Sequence, residues 1–548
     1  MTDINRTLFS VNRAQEEKHT KEYALRMKMP YADLVGYPFA SDVFEAIPFD
    51  QAILHKVIPF LKIGKTIKIG IVEPENTDTK NYLQTIAKSE AVTFSSNVIS
   101  NTSLLFSLQA YEQVIKKKQE QHGQSGFETQ ENLSDKIKTL ADVAKTAASV
   151  NTTRTFDVLL IGAVKNSASD IHLEPGESNY LVRYRIDGIL QNVVRLPQAG
   201  YKSLLSRIKF LAKLKMDKMN EPQDGRFSVT VDKNRIDLRV ATLPSAYGES
   251  VVLRLLGQDR SMQRLDNLGF RPDALAIIHQ AISQPHGMIL NTGPTGSGKS
   301  TTLYAIILEV RKPGLKIITL EDPIEYRIEG VEQSQIDPEG KYTFADGLRG
   351  CLRADPDIIM VGEIRDTETA QIGVQAALTG HLLLSTVHAN SAPAVFPRLI
   401  DIGVKPFLLA GSVNLVMAQR LIRVNCQKCL EEYLPPDPIW QEVVKSMATV
   451  TNRIDAHLAQ MLQGRPKLRR GRGCPACNNS GFVNRQAIIE VLRPDGAIED
   501  LIAKQATQST FMEASIKQDM ITMEQDGLIK VLQGKTTIEE VWRVTKEG

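Results

Sequence analysis

The residues with the clearest chemical meaning form a glycine-rich run, GPTGSGKST, at 293–301. Its pattern, G-x-x-x-x-G-K-S, is typical of a loop whose backbone N–H groups wrap a phosphate. The run follows Met288–Thr292, which is typical of a short buried strand, and leads into Thr301–Val310, which is typical of an apolar helix. Because strand, loop and helix stand in this order, a chance glycine-rich turn is the weaker interpretation. The nucleotide-binding residues predicted from this loop are Gly293, Pro294, Thr295, Gly296, Ser297, Gly298, Lys299, Ser300 and Thr301.

Two side chains of this loop have specific expected roles. Lys299 is predicted to reach the β- and γ-phosphates of ATP, and the Ser300 hydroxyl is predicted to bind Mg²⁺. A hydrolytic site also needs a carboxylate for the magnesium and a group that orients water. Acidic residues at the ends of the neighbouring predicted strands are the candidates for these groups.

The acidic segment Ala354–Asp366 (ADPDIIMVGEIRD) offers the candidates for magnesium. In a parallel α/β sheet, ligands lie beyond the carboxyl ends of the strands. Asp357 precedes the predicted strand Ile358–Val361 and Glu363 follows it, which separates the two carboxylates by roughly 20 Å. The sequence therefore predicts Glu363 as the magnesium-binding Walker B residue, and predicts Asp355 and Asp357 as turn or cap residues at the opposite edge.

The same rule places the acidic run EDPIE after the predicted strand Lys316–Leu320. Glu325 lies farther out on the loop and has the better reach, so it is predicted to polarise the attacking water. Glu321, next to the strand end, is predicted to be a hydrogen-bond anchor. In HLLLSTVHAN, His388 follows its predicted strand and is the candidate γ-phosphate sensor, whereas His381 precedes the strand and is interpreted as structural.

Four of the five cysteines form two C-x-x-C pairs. Paired C-x-x-C turns supply the four soft ligands of a tetrahedral structural zinc site. The alternatives are four unbound reduced thiols or a redox pair. Cys351 stands alone, which shows that the chain does not scatter such pairs, and zinc is the preferred interpretation. The predicted zinc ligands are Cys426, Cys429, Cys474 and Cys477.

These groups need a scaffold, and strand and helix patterns alternate from residue 263 to the end of the chain, 548. This alternation predicts an α/β domain with a parallel sheet covered on both faces, with the tetracysteine element inside 424–482. Residues 139–262 have the pattern of an α+β domain, whose predicted helix is Tyr201–Met216.

The N-terminal region, 1–115, is predicted to be a small α/β domain with a strand at Ile67–Glu73 and a helix at Thr77–Lys88. The polar stretch 116–138 is predicted to be a linker or a solvated helix end.

Composition limits the function classes. With 66 basic and 63 acidic residues the net charge is +3, which gives no sign of a large nucleic-acid-binding surface. The N-terminus has no signal-peptide core, and charges interrupt every apolar stretch before about 18 residues. Five cysteines are too few for a disulfide scaffold. We expect a cytoplasmic protein without a membrane span.

Taken together, GPTGSGKST, LEDPIEY, GEIRD and TGHLLLSTVHAN resemble the secretion-superfamily ATPases that drive type II secretion and type IV pilus assembly. The resemblance extends over roughly 149–546, with further matches in SDIHLEP, QDGRFSV and GKTTIEEVWRVT. It implies a RecA-like P-loop ATPase domain, preceded by a PAS-like α+β domain and a small N-terminal domain. It also implies ATP, Mg²⁺ and Zn²⁺ as cofactors.

The resemblance further implies a homohexameric ring in which the second domain of one subunit supplies arginines to the nucleotide of its neighbour. Arg226 and Arg239 match the family's arginines. A bidentate guanidinium suits a phosphate that accumulates charge. Four other arginines on neighbouring predicted strands are expected to be solvated or salt-bridged: Arg183, Arg185, Arg235 and Arg254. The resemblance agrees with Glu325 as general base.

The predicted function is a MgATP-hydrolysing motor that assembles type IV pili through an inner-membrane platform protein, at the inner face of the plasma membrane. The alternative is the type II secretion version, which drives a pseudopilus. A tetracysteine element occurs in assembly ATPases of this superfamily and is absent from the retraction ATPases. The N-terminal domain is expected to dock to a membrane-associated partner or bind a cyclic dinucleotide. A nucleic-acid motor using the basic run LRRGRG, 468–473, is the interpretation from another class.

Overall fold

The computed structural model describes residues 3–89, 91–121, 134, 136–150, 152–232, 234–256, 264–337, 340 and 342–546. The chain divides into two compact units, Met1–Leu255 and Leu256–Gly548. The predicted start of the ATPase domain at residue 263 lies close to this division. The finer boundaries at 115 and 138 stay predictions.

The N-terminal part of the first unit contains a three-stranded sheet. Strand β1 (Val57–Ile63) pairs antiparallel with β2 (Thr66–Ile71), and β2 pairs parallel with β3 (Thr93–Val98). Its helices are Asp3–Arg26, Phe49–Leu54, Thr77–Ser89 and Asn101–Gln121. The predicted strand and helix of this region are confirmed. The last helix continues into the predicted linker, and 122–133 lie outside the described residues.

The rest of the first unit is built on a six-stranded sheet with the order β6-β5-β4-β9-β8-β7. Its strands are β4 (Ala168–Pro175), β5 (Asn179–Ile186), β6 (Ile189–Pro197), β7 (Gln223–Val231), β8 (Asn234–Ser245) and β9 (Gly248–Leu256). Its helices are Leu140–Ser149, Thr152–Lys165 and Tyr201–Leu211. The last helix ends before the predicted Met216, because Lys213 adopts a left-handed backbone with φ 56°.

The second unit contains a seven-stranded sheet and a separate two-stranded ribbon. The strands are β10 (Gly287–Thr292), β11 (Ile317–Glu321), β12 (Glu332–Gln335), β13 (Ile358–Val361), β14 (Leu382–Val387), β15 (Val413–Asn425), β16 (Leu430–Tyr433), β17 (Leu468–Gly471) and β18 (Phe482–Leu492). The sheet order is β12-β11-β13-β14-β10-β15-β18, and β16 pairs with β17. All registered neighbours in the large sheet are parallel except β15 and β18.

Strands β10, β11, β13 and β14 are buried along their whole length. This is the pattern of parallel strands covered on both faces, and it confirms the predicted fold class. The helices of the unit are Pro272–Ile282, Lys299–Val310, Phe344–Leu352, Thr367–Leu378, Val395–Ile402, Pro406–Ala410, Asp437–Met447, Ala456–Leu462, Gly496–Ala503, Gln508–Lys517, Met523–Leu532 and Ile538–Thr545. Within the described part of the chain, no helix is both long and apolar enough to cross a membrane.

A buried charge cluster ties the helix Met523–Leu532 to the sheet. The carboxylate of Asp526 accepts hydrogen bonds from the backbone N–H of Ile489 at 2.8 Å and from Lys530 Nζ at 3.0 Å. A nitrogen of Arg271 lies 3.1 Å from the same carboxylate. Asp526 has no exposed surface, so these two hydrogen bonds and the nearby guanidinium replace the water that would otherwise solvate its charge.

Candidate active site and metal centre

The phosphate loop connects β10 to the helix that begins at Lys299. Gly293, Gly296 and Gly298 all have left-handed φ angles, of 146°, 79° and 89°. A Cβ added at Gly293 would lie 2.5 Å from the carbonyl oxygen of Gln419, and one at Gly298 would lie 2.8 Å from its side-chain nitrogen. All three glycines are therefore favoured by their backbone angles, and Gly293 also by the close approach of the loop to the backbone of β15.

The loop also offers polar groups for an anion. The Ser297 hydroxyl is buried and has no hydrogen-bond partner among the residues that the structure describes. Ser300, at the start of the helix, is exposed. Glycine backbone, a helix N-terminus and a buried hydroxyl together fit a bound phosphate chain.

Lys299 is half-buried over this loop. Its Nζ donates hydrogen bonds to the carbonyl oxygens of Gly293 at 2.8 Å and Pro294 at 3.0 Å. Burial lowers the pKa of the Lys299 ammonium, and the nearby Glu363 carboxylate opposes that shift. The carboxylate of Glu363, the predicted magnesium ligand, is thus close enough to Lys299 to act on its ammonium group.

Glu363 and His388 meet at the same edge of the sheet. Glu363 follows β13 and His388 follows the adjacent β14. Their side chains are 3.1 Å apart between carboxylate oxygen and Nε2, and Arg365 Nε lies 2.6 Å from the same oxygen. Strand β14 is also the neighbour of β10, so this edge carries the phosphate loop as well. Arg365 was not predicted as a member of this group.

The loop after β14, which carries His388, is held at several points. Thr292 at the end of β10 exchanges two hydrogen bonds with the backbone of Ala389, at 2.7 and 2.8 Å. Glu490 on β18 accepts from the backbone N–H of Ala392 at 2.9 Å. Burial raises the pKa of the Glu490 carboxyl.

Two residues of β15, Gln419 and Arg420, form hydrogen bonds to the elements that flank the phosphate loop and to the loop that carries His388. The side-chain oxygen of Gln419 accepts from Thr302 at 2.7 Å and from Asn291 at 3.3 Å. The guanidinium of Arg420 donates to the carbonyl oxygen of Asn390 at 3.3 Å. Neither residue was predicted; the available signal was a polar pair between the apolar runs 415–418 and 421–422 of β15.

Other residues occupy structural positions. The carboxylate of Asp357 accepts from the backbone N–H of Lys316 at 2.7 Å, at the edge opposite the phosphate loop. Asp355 has a left-handed φ of 52°, as in a turn. His381 contacts the carbonyl oxygen of Ala376 at 3.0 Å. These contacts agree with the turn, cap and structural roles predicted for the three residues.

The acidic loop after β11 places Glu321 and Glu325 in different environments. Glu321 is 4% exposed, and its carboxylate accepts from Thr319 at 2.5 Å, from Gln333 at 3.1 Å and from the Tyr304 hydroxyl. These contacts agree with the predicted anchor. Glu325 is exposed on the loop, and its backbone N–H donates to the Tyr304 hydroxyl at 3.4 Å. Its role as general base stays a prediction.

Six arginines of the first unit were singled out from the sequence, and they lie in two groups on the six-stranded sheet. Arg226 on β7 lies directly opposite Arg239 on β8. The other four arginines each face a carboxylate: Arg183 with Glu174, Arg185 and Arg254 with Asp170, and Arg235 with Asp237. The salt-bridged role expected for those four is confirmed.

The four predicted zinc ligands lie together in the second unit. Their sulfur atoms are 3.9 Å apart for Cys426 and Cys474, 3.9 Å for Cys429 and Cys477, and 3.7 Å for Cys474 and Cys477. A tetrahedron of thiolates at the usual Zn–S distance has edges of about 3.8 Å. A disulfide would need a separation of about 2.05 Å. The cluster therefore has the spacing of a tetrahedral zinc site.

Backbone donors surround one of these sulfur atoms. Cys477 Sγ accepts from the backbone N–H of Cys474 at 3.2 Å and of Gly481 at 3.3 Å. Such hydrogen bonds orient a thiolate and delocalise its charge. The turn between them passes through Asn478 and Asn479, both with left-handed φ angles.

The basic run at 468–473 lies on β17 and is paired across the ribbon. Arg470 Nε lies 2.9 Å from the Glu431 carboxylate on β16. Arg469 Nε lies 4.0 Å from a carboxylate oxygen of Glu432. The register sets each of these arginines opposite its glutamate, so the ribbon compensates much of the positive charge.

A glycine loop between a central parallel strand and a helix, with acidic residues at the ends of neighbouring strands, defines a P-loop ATPase. The chain also matches a family described as type II/IV secretion system protein over residues 146–543. This protein is therefore an ATPase that belongs to the type II/IV secretion system protein family.

Individual relatives divide by how much of the chain they match. Type II secretion system protein HxcR of Pseudomonas aeruginosa is 42% identical over 76% of this chain and 82% of its own length. Type IV pilus assembly ATPase PilB of Myxococcus xanthus is 34% identical over 98% of this chain and 93% of its own length. The X-ray structure of the Legionella pneumophila ATPase DotB superposes with a TM-score of 0.53 at 21% identity, covering 73% of this chain and 97% of DotB. That likeness shows the shared fold.

Proposed function

We propose that six copies of this ATPase form a ring that hydrolyses MgATP and powers type IV pilus assembly through an inner-membrane platform protein. The supporting observation is coverage: the Myxococcus xanthus pilus assembly ATPase aligns over 98% of the chain, whereas HxcR aligns over 76%. The second candidate is a type II secretion ATPase that drives a pseudopilus, which the higher identity of 42% within the shared part favours.

In this proposal the chain's own groups divide the work of hydrolysis. MgATP, when bound, supplies the phosphoryl group and a metal charge that offsets the negative charge of the phosphates. Lys299 and the loop backbone bind the phosphates, and Ser300 and Glu363 hold the magnesium. Glu325 orients the water and accepts its proton. His388, 3.1 Å from Glu363, senses the γ-phosphate.

The pair Arg226 and Arg239 supports a site shared between subunits. Arg226 and Arg239 are directly opposite each other on two strands, which places two cations side by side. A guanidinium binds a phosphate through a planar, bidentate fork of N–H groups, so such a pair suits a phosphate that accumulates charge. We infer that it closes on the nucleotide of the adjacent subunit in the ring.

The tetracysteine cluster in this proposal holds one structural Zn²⁺, whose bonds to the thiolates stabilise the segment between β15 and β18. The chain works at the inner face of the plasma membrane, where its N-terminal region docks to a membrane-associated partner. Direct binding to nucleic acid is disfavoured, because glutamates across the ribbon face the basic run.

Site-directed variants test the hydrolytic site. Lys299→Ala is expected to abolish phosphate release, and Glu325→Gln to bind ATP at least as tightly as the wild type without cleaving it. Glu329→Gln, an exposed glutamate on the same loop, is the matched control and should hydrolyse normally. Retained turnover in Lys299→Ala would refute the site, and ATP trapped by Glu321→Gln alone would make Glu321 the base.

Mixing two inactive variants tests the shared site. Arg226→Ala lacks the cation that a subunit gives to its neighbour, and Glu325→Gln lacks the base in its own pocket. A mixed ring contains some interfaces with both groups intact, so mixing should restore part of the ATPase activity. No recovery across mixing ratios, with rings shown to exchange subunits, would refute the assignment in trans.

Complementation tests the cellular role. In a strain of the source organism that lacks this chain, the wild-type chain should restore surface pili and Lys299→Ala should not. Loss of protein secretion with normal piliation in the deletion strain would instead support the type II secretion candidate.

A further inference from the structure

A buried hydrogen-bond network joins the helix of the phosphate loop to the loop that carries Glu325. Tyr304 lies on the helix Lys299–Val310 and is 1% exposed. Its hydroxyl donates to the Glu321 carboxylate and accepts from the backbone N–H of Glu325 at 3.4 Å. One oxygen atom therefore contacts both glutamates of the acidic loop.

The side chain of Gln333 on β12 forms hydrogen bonds to other parts of this loop. Its side-chain nitrogen donates to Glu321 at 3.1 Å and to the carbonyl oxygen of Tyr326 at 3.1 Å. Its side-chain oxygen accepts from the backbone N–H of Ile328 at 2.7 Å. The loop is thus bonded on both sides of Glu325, to the phosphate-loop helix on one side and to the edge strand on the other.

The chemistry of the network favours a fixed donor. Burial, reinforced by the Glu321 carboxylate, raises the pKa of the Tyr304 hydroxyl far above its ordinary value, so the hydroxyl keeps its proton. A buried carboxylate without donors would be costly, which makes the hydrogen bonds from Tyr304, Thr319 and Gln333 necessary to Glu321. These hydrogen bonds therefore fix the position of Glu321 relative to the phosphate-loop helix.

We propose that Tyr304 is a positioning residue for hydrolysis: through Glu321 and the backbone of Glu325, it sets the distance between the general base and the phosphate loop. This inference depends on the proposed role of Glu325. The helix begins at Lys299, so Tyr304 lies about 7.5 Å along a rigid element from the phosphate-binding lysine.

The substitution Tyr304→Phe removes one hydroxyl and keeps the ring. We expect kcat to fall about 10- to 100-fold, because a misplaced base loses the aligned geometry, while KM for ATP changes less than about twofold. The matched control is Tyr326→Phe. The Tyr326 ring packs edge-to-face on Tyr304 at 4.6 Å, and its hydroxyl is not bonded to Glu321. It should leave kcat unchanged.

A double-mutant cycle separates positioning from general loss of structure. Because both substitutions disturb the bond between Tyr304 and Glu321, the loss in the Tyr304→Phe, Glu321→Gln double variant should be clearly smaller than the product of the two single losses. Multiplicative losses would overturn the inference. If Tyr304→Phe does not fold, Gln333→Leu gives the same test, with a lower kcat and an unchanged KM expected and an unchanged kcat overturning the inference.

Failure of the proposal that Glu325 is the general base would give a different pattern of results. If Glu325→Gln is inactive but Tyr304→Phe keeps its kcat, or raises KM alone, the positioning role is overturned and the general base stands. If Glu325→Gln retains turnover, both the base and the positioning role are overturned.

Discussion

The tetracysteine cluster allows the strongest quantitative prediction. Three of the sulfur–sulfur distances in the cluster are between 3.7 and 3.9 Å, which matches the edge of about 3.8 Å expected around Zn²⁺. Structural zinc sites contribute about 10–16 kcal/mol in small peptides. Divided among four thiolates, this is about 3 kcal/mol per ligand, or roughly 100-fold in zinc affinity.

The perturbation is Cys429→Ser, which removes one buried ligand. We expect one zinc per wild-type chain by elemental analysis, and zinc affinity at least about 100-fold weaker in the variant by competition with a chromogenic chelator. Its thermal unfolding should begin at a lower temperature. Cys351→Ser is the matched control, since this buried cysteine lies outside the cluster and its loss should leave the zinc content unchanged.

Two results would refute the reasoning. The first is a wild-type protein that carries no zinc after purification with zinc present and has four thiols that react freely. The second is a Cys429→Ser variant with the zinc content and affinity of the wild type.

Two further predictions concern the loop and the core. Gly293→Ala should weaken ATP binding at least about tenfold in equilibrium titrations, since its Cβ would lie 2.5 Å from a backbone oxygen. The control is Gly350→Ala, which has open space around its Cβ and should bind ATP normally. Equal affinities of the two variants for ATP would contradict this prediction. Asp526→Ala should cost about 3–5 kcal/mol of stability in denaturant titrations, because it leaves buried cations unpaired. Adding Lys530→Met should recover part of that loss, and a larger loss in the double variant would show that charge compensation is not the cause.

The elements around the phosphate loop were predictable because local pattern determines them. Strands β10, β11, β13 and β14 are continuous apolar runs, and a strand buried on both faces requires such a run. The rule that ligands lie beyond strand ends then placed Glu363 and His388 at one edge, where the structure finds them 3.1 Å apart. The spacing of the two C-x-x-C pairs alone was also enough to predict that the four cysteines lie together.

The supports of the site were not predictable in the same way. Tyr304, Gln419 and Glu490 are polar groups among mostly apolar neighbours, and hydrophobic periodicity does not indicate which partner such a group bonds. Their partners depend on tertiary contacts, such as the bond between Glu490 and the distant Ala392. Only the folded sheet brings each of these polar side chains to the group with which it forms a hydrogen bond.

Strand β10 lies in the interior of the large sheet, and its position has a consequence for how the protein is made. Its residues pair with β14 and β15, where Gly287 is opposite Leu382 and Met288 is opposite Val413, roughly a hundred residues farther along the chain. During synthesis, the phosphate loop therefore leaves the ribosome long before either neighbour of its strand exists. The nucleotide-binding face is completed late, so the interval before β15 emerges is the stage at which the unpaired strand β10 is most exposed to aggregation.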